Sequence, residues 1–258
     1  MKKQFYLIFI ILFVLILFSQ KKNNYLINNT NYIILNSYPY DKNLFTEGLE
    51  VFKNKIIVGS GKYGKSLIGQ LSLDNGELQN ELKLDPIYFG EGITFTDNDL
   101  WQLTWKEGIV FKRDTQTFKV KDSYLFEGEG WGICYDGKNL INSDGTDILS
   151  IRSSKDFKLI KKLKIKNKKI KVGQLNELEY ANGYIYSNVF NSSNILKIDP
   201  VSGNVLKTYD LSLLFEDKSI NKKEVLTYGE LNGIAHLNKN KFYISGKNWS
   251  RIFLLELK

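Results

Sequence analysis

Hydrophobic and polar positions alternate in short runs along most of the chain, and Gly, Asn and Asp break the runs at regular intervals. Alternation with a period of two, bounded by turn-forming residues, predicts β-strands. The clearest unit is Phe89–Trp105, FGEGITFTDNDLWQLTW. A Glu-Gly-apolar triplet (Glu91, Gly92, Ile93) opens one strand, Asp97-Asn98-Asp99 turns the chain, and Leu100–Trp105 returns as its partner. Similar phrases begin at Phe45 (FTEGLEVFKNKIIVGSG), Gly130 (GWGICYDGKNLINSDG), Leu175 (LNELEYANGYIYSNVF) and Leu231 (LNGIAHLNKNKFYISGKNW). Aligned on the middle of the triplet (Gly48, Gly92, Gly132, Glu177, Gly233), they are 44, 40, 45 and 56 residues apart. Periods of this length with several short strands per unit are the signature of a β-propeller, here with five blades.

The second half of each unit supplies two more strands. Leu67–Leu73 turns through Asp74-Asn75-Gly76 into Leu78–Leu84, and Gly108–Arg113 turns into Thr117–Ser123. Asp147–Ser153 leads to Phe157–Leu163, and Asn194–Asp199 to Asn204–Tyr209. The expected fold is therefore all-β, with four-stranded antiparallel blades. The last unit ends at Arg251–Lys258 with no strand after it, while Asn31–Tyr40 is a strand with no unit before it. Pairing the two removes the open edges at the seam, so the N-terminal strand is expected to close the ring as the outermost strand of the last blade. The propeller domain then runs over 31–258. Leu211–Tyr228, between the fourth and fifth blades, is the longest insertion, with Leu213, Leu214 and Phe215 suited to a short helix at the rim.

Ahead of the propeller, residues 1–22 read as a targeting segment: Lys2 and Lys3 precede an apolar run from Phe5 to Phe18. That run is short for a membrane span of ~20 residues and fits the core of a signal peptide. No small-residue cleavage site follows it, so export is expected with either release or a tether through residues 5–18. Residues 23–30 are expected to be a polar linker. A formal charge of +8 invites a nucleic-acid or anionic-membrane reading. The excess lysine, however, concentrates in Lys155–Lys171, with nine Lys, no Arg and no interleaved aromatic stacking pattern. It reads as a solvated outer hairpin, and no nucleic-acid partner is expected. A single cysteine, Cys134, excludes an internal disulfide or a multi-thiolate metal site, and a single histidine, His236, excludes a His-rich zinc centre.

In a propeller the five triplets open the innermost strands, so Glu47, Glu91, Trp131, Asn176 and Asn232 are expected to converge on one mouth of the central channel. At these positions FTEGL, FGEGIT with LTWK, GEGWGICYDG with SDG, NELEY, and LNGIA with SGK resemble the glutaminyl-peptide cyclotransferases of the plant and bacterial type. The resemblance extends from about Asn31 to the C-terminus. It implies a five-bladed propeller, in agreement with the repeat count, and a reaction that converts an N-terminal glutaminyl residue to pyroglutamyl with release of ammonia.

By the same resemblance Glu91 is the proton shuttle, taking a proton from the attacking α-amine and giving one to the departing amide nitrogen. Phe45, Phe89, Trp105 and Trp131 would wall the pocket, Asn176 would bond the substrate carboxamide, and Lys247 would stabilise charge on the carbonyl oxygen. No metal or organic cofactor is implied, the partners are peptides beginning with Gln, and a monomer is expected. Two positions depart from the family pattern. Glu47 stands where the family has Gln, adding a second carboxylate that raises one of the pair's pKa values. Phe190 stands where the family has Trp, keeping the apolar wall without the indole N–H. The rival readings are a non-catalytic propeller that binds peptides or other ligands, and a nucleic-acid or membrane-surface binder acting through Lys155–Lys171.

Overall fold

A computed structural model of the protein describes residues 27–28, 31–168, 171–216 and 230–258. Four sheets of four antiparallel strands and one of five surround a common axis. In chain order β1 (Ile27–Asn28) and β2 (Tyr32–Pro39) come first. Blade 1 holds β3 (Thr46–Phe52), β4 (Lys55–Ser60), β5 (Leu67–Leu71) and β6 (Leu78–Lys83). Blade 2 holds β7 (Gly90–Phe95), β8 (Leu100–Thr104), β9 (Ile109–Arg113) and β10 (Val120–Leu125). Blade 3 holds β11 (Ile133–Tyr135), β12 (Asn139–Asn142), β13 (Ile148–Ser153) and β14 (Leu159–Lys164). Blade 4 holds β15 (Leu175–Ala181), β16 (Tyr184–Val189), β17 (Asn194–Ile198) and β18 (Val205–Asp210). Blade 5 is β19 (Leu231–Asn238), β20 (Lys241–Gly246) and β21 (Arg251–Leu257), completed by β2.

Side-chain character changes from the axis outward. Every residue of β7 and β8 is buried, whereas the outer strands β6, β10 and β14 are mostly exposed and rich in Lys, Glu and Asp. Inner strands are covered on both faces by neighbouring blades, so they need not alternate; outer strands carry the charges that discourage edge-to-edge pairing. The lysine hairpin falls in this outer layer, where Lys158, Lys161, Lys162 and Lys164 on or beside β14 are exposed. Between blades, apolar side chains form the core, the largest cluster joining blades 4, 5 and 1 through residues such as Leu49, Tyr186, Phe242 and Trp249.

The seam closes as expected. β2 pairs antiparallel with β21, Tyr32 opposite Leu257 and Pro39 opposite Arg251, and Tyr32 and Ile34 are fully buried there. One difference concerns the edge. β1 adds two residues outside β2, so Ile27–Asn28 of the expected linker belongs to the sheet and β2 is not outermost. From the seam the Tyr40 hydroxyl lies 2.7 Å from Thr46 Oγ1, which donates to the Gly246 carbonyl at 3.2 Å, tying blade 5 to blade 1. The insertion after blade 4 begins as a 3-10 turn, Ser212–Glu216, with Leu211 and Leu214 buried in the core; residues 217–229 lie outside the described residues. The targeting segment, residues 1–22, lies outside them too.

Around the axis the inner strands approach closely enough to require glycine. A Cβ on Gly132 would meet the Asn176 carbonyl oxygen at 2.2 Å. Blade 4 has Glu177 at that repeat position, and its buried carboxylate spans the channel instead, accepting from the Ile234 N–H at 2.9 Å and the Leu49 N–H at 3.3 Å. Blades 4, 5 and 1 are thereby joined by one side chain, and burial holds the Glu177 carboxyl well above the ordinary range.

Candidate active site

Four of the five inner strands start with a bulge at the triplet: between Thr46 and Gly48, Gly90 and Ile93, Leu175 and Leu178, and Leu231 and Ile234. Bulges of this kind re-aim a side chain. Here they accompany the turn of Glu47, Glu91 and Asn176 toward one mouth of the channel. A second ring comes from the end of the next strand. The N–H groups of Gly61, Trp105, Phe190 and Lys247 donate to the carbonyls of Phe45, Phe89, Gln174 and Glu230 at 2.8, 3.0, 2.9 and 2.9 Å. Trp105, Phe190 and Lys247 are thus one repeat position in three blades. In blade 1 that position is Gly61, where a Cβ would lie 2.4 Å from the Phe89 ring. In blade 3, Gly145 leaves the space occupied by the Trp131 indole, 2.7 Å from where a Cβ would be.

Together these residues enclose a cavity of about 400 Å³ lined by Phe45, Glu47, Lys62, Phe89, Glu91, Trp105, Trp131, Asn176, Phe190 and Lys247. All nine residues singled out from the sequence lie on it. Asn232, also expected at the mouth, sits behind the lining and donates to Glu47 Oε2 at 2.8 Å. The wall is aromatic on most sides. Phe89 packs edge-on against Phe45 and Trp105 with centroids 6.3 and 5.4 Å apart, and Trp131 packs against Phe190 at 5.4 Å. Lys247 Nζ stands 4.8 Å over the Phe45 ring and 5.4 Å over Phe190, within cation–π range.

The two carboxylates at the floor differ in what holds them. Glu47 is ion-paired to Lys247 at 3.1 Å and bonded by Asn232, and the same ammonium lies 3.5 Å from Glu230. Burial lifts its carboxyl to about 7 against the pull of Lys247. Glu91 is buried, and among the described residues no donor holds its carboxylate. Burial, then the charge on Glu47, push its pKa well above the ordinary value, with Lys247 opposing. For Lys247 burial acts to lower the pKa, but the attraction of Glu47, Glu91 and Glu230 outweighs it and the ammonium is held protonated. An unanchored, buried carboxyl with a raised pKa is suited to exchange protons with a bound molecule. The Asn176 carboxamide is buried beside it and likewise makes no side-chain hydrogen bond among the described residues.

Three residues of the site were not anticipated from the sequence: Lys62, Glu129 and Glu230. One oxygen of Glu129, Oε2, accepts the indole N–H of Trp105 at 2.8 Å and of Trp131 at 3.0 Å, fixing two walls from two blades. Glu129 and Glu230 each lie three residues before the triplet centre, the repeat position held by Phe45 and Phe89. Extending the alignment by that step would have found both. Cys134 and His236 take no part. The thiol is buried and inert, its pKa driven up by burial, and the His236 Nε2 bonds the Lys239 carbonyl at 2.8 Å. No group of three or more His, Cys, Asp or Glu arranged to hold a metal occurs among the described residues.

Comparison with known proteins agrees with this architecture. The model of a family described as glutamine cyclotransferase matches residues 8–257. The chain is 33% identical over 228 residues to glutaminyl-peptide cyclotransferase of Arabidopsis thaliana, spanning 87% of this chain and 71% of that protein. The crystal structure of Myxococcus xanthus glutaminyl cyclase superposes with a TM-score of 0.80 at 32% identity, covering 88% of this chain and 96% of that one.

Proposed function

The chain belongs to the glutamine cyclotransferase family, and from that premise we propose that it converts N-terminal glutaminyl residues of peptides and proteins to pyroglutamyl residues with release of ammonia. The observation that carries the reading is Glu91: a buried carboxyl with no anchoring donor among the described residues, at the floor of an aromatic cavity and with its pKa raised. In this reading the substrate's α-amine attacks the γ-carboxamide carbon of the same residue, forming the ring C–N bond. Glu91 takes the proton that the amine loses. As the tetrahedral centre collapses, the exocyclic C–N bond breaks and Glu91 returns the proton to the departing nitrogen, which leaves as ammonia. The reaction is thus an acyl transfer from one nitrogen to another. Because nucleophile and electrophile are already joined, much of the task is to hold the folded-back conformer. The flat faces of Trp105, Trp131, Phe89 and Phe190 do this by packing the substrate's methylenes.

Asn176 donates to the carboxamide oxygen as its negative charge grows, and Lys247, paired with Glu47, contributes a fixed positive charge nearby. No step calls for a metal. The cavity offers two carboxylates and no His or Cys, and one of the carboxylates is engaged by Lys247. Lys2 and Lys3 ahead of the apolar run Phe5–Phe18 support export, with the segment either removed or retained as a tether. The direct test is ammonia release from a Gln-initiated dipeptide, measured with and without a chelator. Chelator-resistant release is the expected outcome. No release between pH 6 and 9 would overturn the reading and leave a peptide-binding propeller in its place.

A further inference from the structure

Lys62 is the cation of the cavity for which the proposed chemistry has no use. Its neighbours set it apart from Lys247. Lys247 faces Glu47 at 3.1 Å and Glu230 at 3.5 Å, whereas among the described residues no carboxylate lies within ion-pair distance of Lys62. The Lys62 ammonium instead rests 4.4 Å over the Phe45 ring and 3.5 Å from Asn248 Oδ1. Apart from Glu91, the acidic groups nearest the mouth are already engaged. Glu107 accepts from the Tyr63 hydroxyl at 2.7 Å, Glu129 from two indoles, and Glu230 faces Lys247. Lys62 also has a backbone φ of +94°, a conformation that costs a non-glycine residue free energy and that recurs at ligand-binding positions.

Its location gives this cation a purpose. Lys62 and Asn248 line the aromatic cavity's neighbour, a more polar groove of about 600 Å³ that runs from Ser60 and Gly61 along the outer strands of blade 1, where Lys65 and Lys83 alternate with Asp41, Glu77 and Glu81. Lys62 is the side chain common to both spaces. A peptide whose first residue fills the aromatic cavity must lead its second residue out through the mouth, and on the blade 1 side it passes Lys62. We propose that Lys62 recognises a carboxylate on the residue that follows the cyclising Gln, and that the adjoining groove receives the chain beyond it. The inference rests on the cyclisation reading above and adds a substrate preference to it. A carboxylate there gains the attraction of an ammonium that is half buried and already ordered, so little side-chain entropy is lost when the pair forms.

The test compares kcat/KM for ammonia release from Gln-Glu-amide and Gln-Gln-amide, which differ in charge but hardly in shape. Gln-Ala and Gln-Ala-amide separate a side-chain carboxylate from a terminal one. The protein should favour the Gln-Glu-amide by about fivefold, the scale of one partly exposed ion pair, and the preference should shrink as salt is raised. Lys62→Met should bring the ratio to about one, and Lys62→Arg should keep it. An equal ratio for the unaltered protein, or a ratio that Lys62→Met leaves in place, overturns the inference while cyclisation stands. Should Lys62→Met fail to fold, the salt dependence and the Lys62→Arg ratio decide the matter alone. Absence of turnover on every peptide overturns the cyclisation reading, and this inference with it.

Discussion

At the scale of single residues, the arrangement turns on two glutamates that share a cavity but not their partners. Glu47 is tied to Lys247 and Asn232, whereas Glu91 is held by no donor among the described residues. Their coupling has a testable sign. The Glu47 charge raises the Glu91 pKa and Lys247 lowers it. Glu47→Gln removes the first effect and frees Lys247 to exert more of the second. The Glu91 carboxyl should then lose its proton at lower pH, and since the base works ionised, the acid limb of the kcat/KM profile should move to lower pH. A limb that stays or rises would contradict the account. Glu129 acts through the two indoles it bonds. Glu129→Ala should raise KM for a Gln peptide roughly tenfold, as two charge-assisted bonds are lost, and Glu129→Gln, whose amide oxygen still accepts both, should restore most of it. An unchanged KM in Glu129→Ala would remove its positioning role. Of the nine cavity residues named from the sequence, Glu47, Glu91, Trp131 and Asn176 were legible because they open repeated inner strands, and Phe45, Phe89, Trp105, Phe190 and Lys247 were implied by the family resemblance. Lys62 was not legible, because its significance comes from having no counter-charge among the described residues and from the junction of two cavities, which no linear pattern records.

At the scale of elements, the strand pattern was readable where turns carry Asn, Asp and Gly, and blurred where the backbone departs from the repeat. β11 is only three residues long, because Trp131 and Gly132 both bond Ser143 across the sheet, Trp131 N–H donating to its carbonyl at 3.1 Å and the Gly132 carbonyl accepting its N–H at 3.0 Å, and the regular ladder begins at Ile133. That irregularity positions Trp131 over Gly145. Gly145 has a φ of +79°, and a side chain there would both strain the turn and displace the indole. Gly145→Val should therefore lower the melting temperature and raise KM together, whereas a variant that melts lower with KM intact would place the indole outside the binding wall. The short β1 has no signature in the sequence for an equally physical reason: two residues in a polar stretch carry no periodicity, and β1 exists only because β2 offers an edge. β2 itself is integral. Deleting residues 1–40 removes the buried Tyr32 and Ile34 and the Tyr40–Thr46 contact, each apolar side chain contributing roughly 1.5–3 kcal/mol. Such a protein should lose its cooperative thermal transition, while deletion of residues 1–30 should keep it.

At the scale of the whole molecule, closing five blades into a ring concentrates acid along the axis. Beyond Glu47 and Glu91 at one mouth, Glu177 bridges the middle, and toward the other end Glu179 is buried and Glu50 half-buried. Burial raises Glu50 to about 7 and holds Glu177 and Glu179 well above the ordinary range. A carboxyl whose pKa is higher folded than unfolded stabilises the fold below its unfolded value, and that contribution is lost as pH rises through the folded value. Thermal stability should accordingly decline between about pH 5 and 8, by on the order of a few kcal/mol; a flat profile over that range would show these groups to be ionised in the native state. The same closure gathers residues from all five blades around one unanchored carboxyl, and the central claim is that this carboxyl moves the proton. The measurement that addresses it most directly is ammonia release by Glu91→Gln alongside peptide binding followed by tryptophan fluorescence. The expected result is loss of turnover by about a thousandfold or more with binding retained, since the aromatic walls are untouched. Turnover at the unaltered rate would contradict the account.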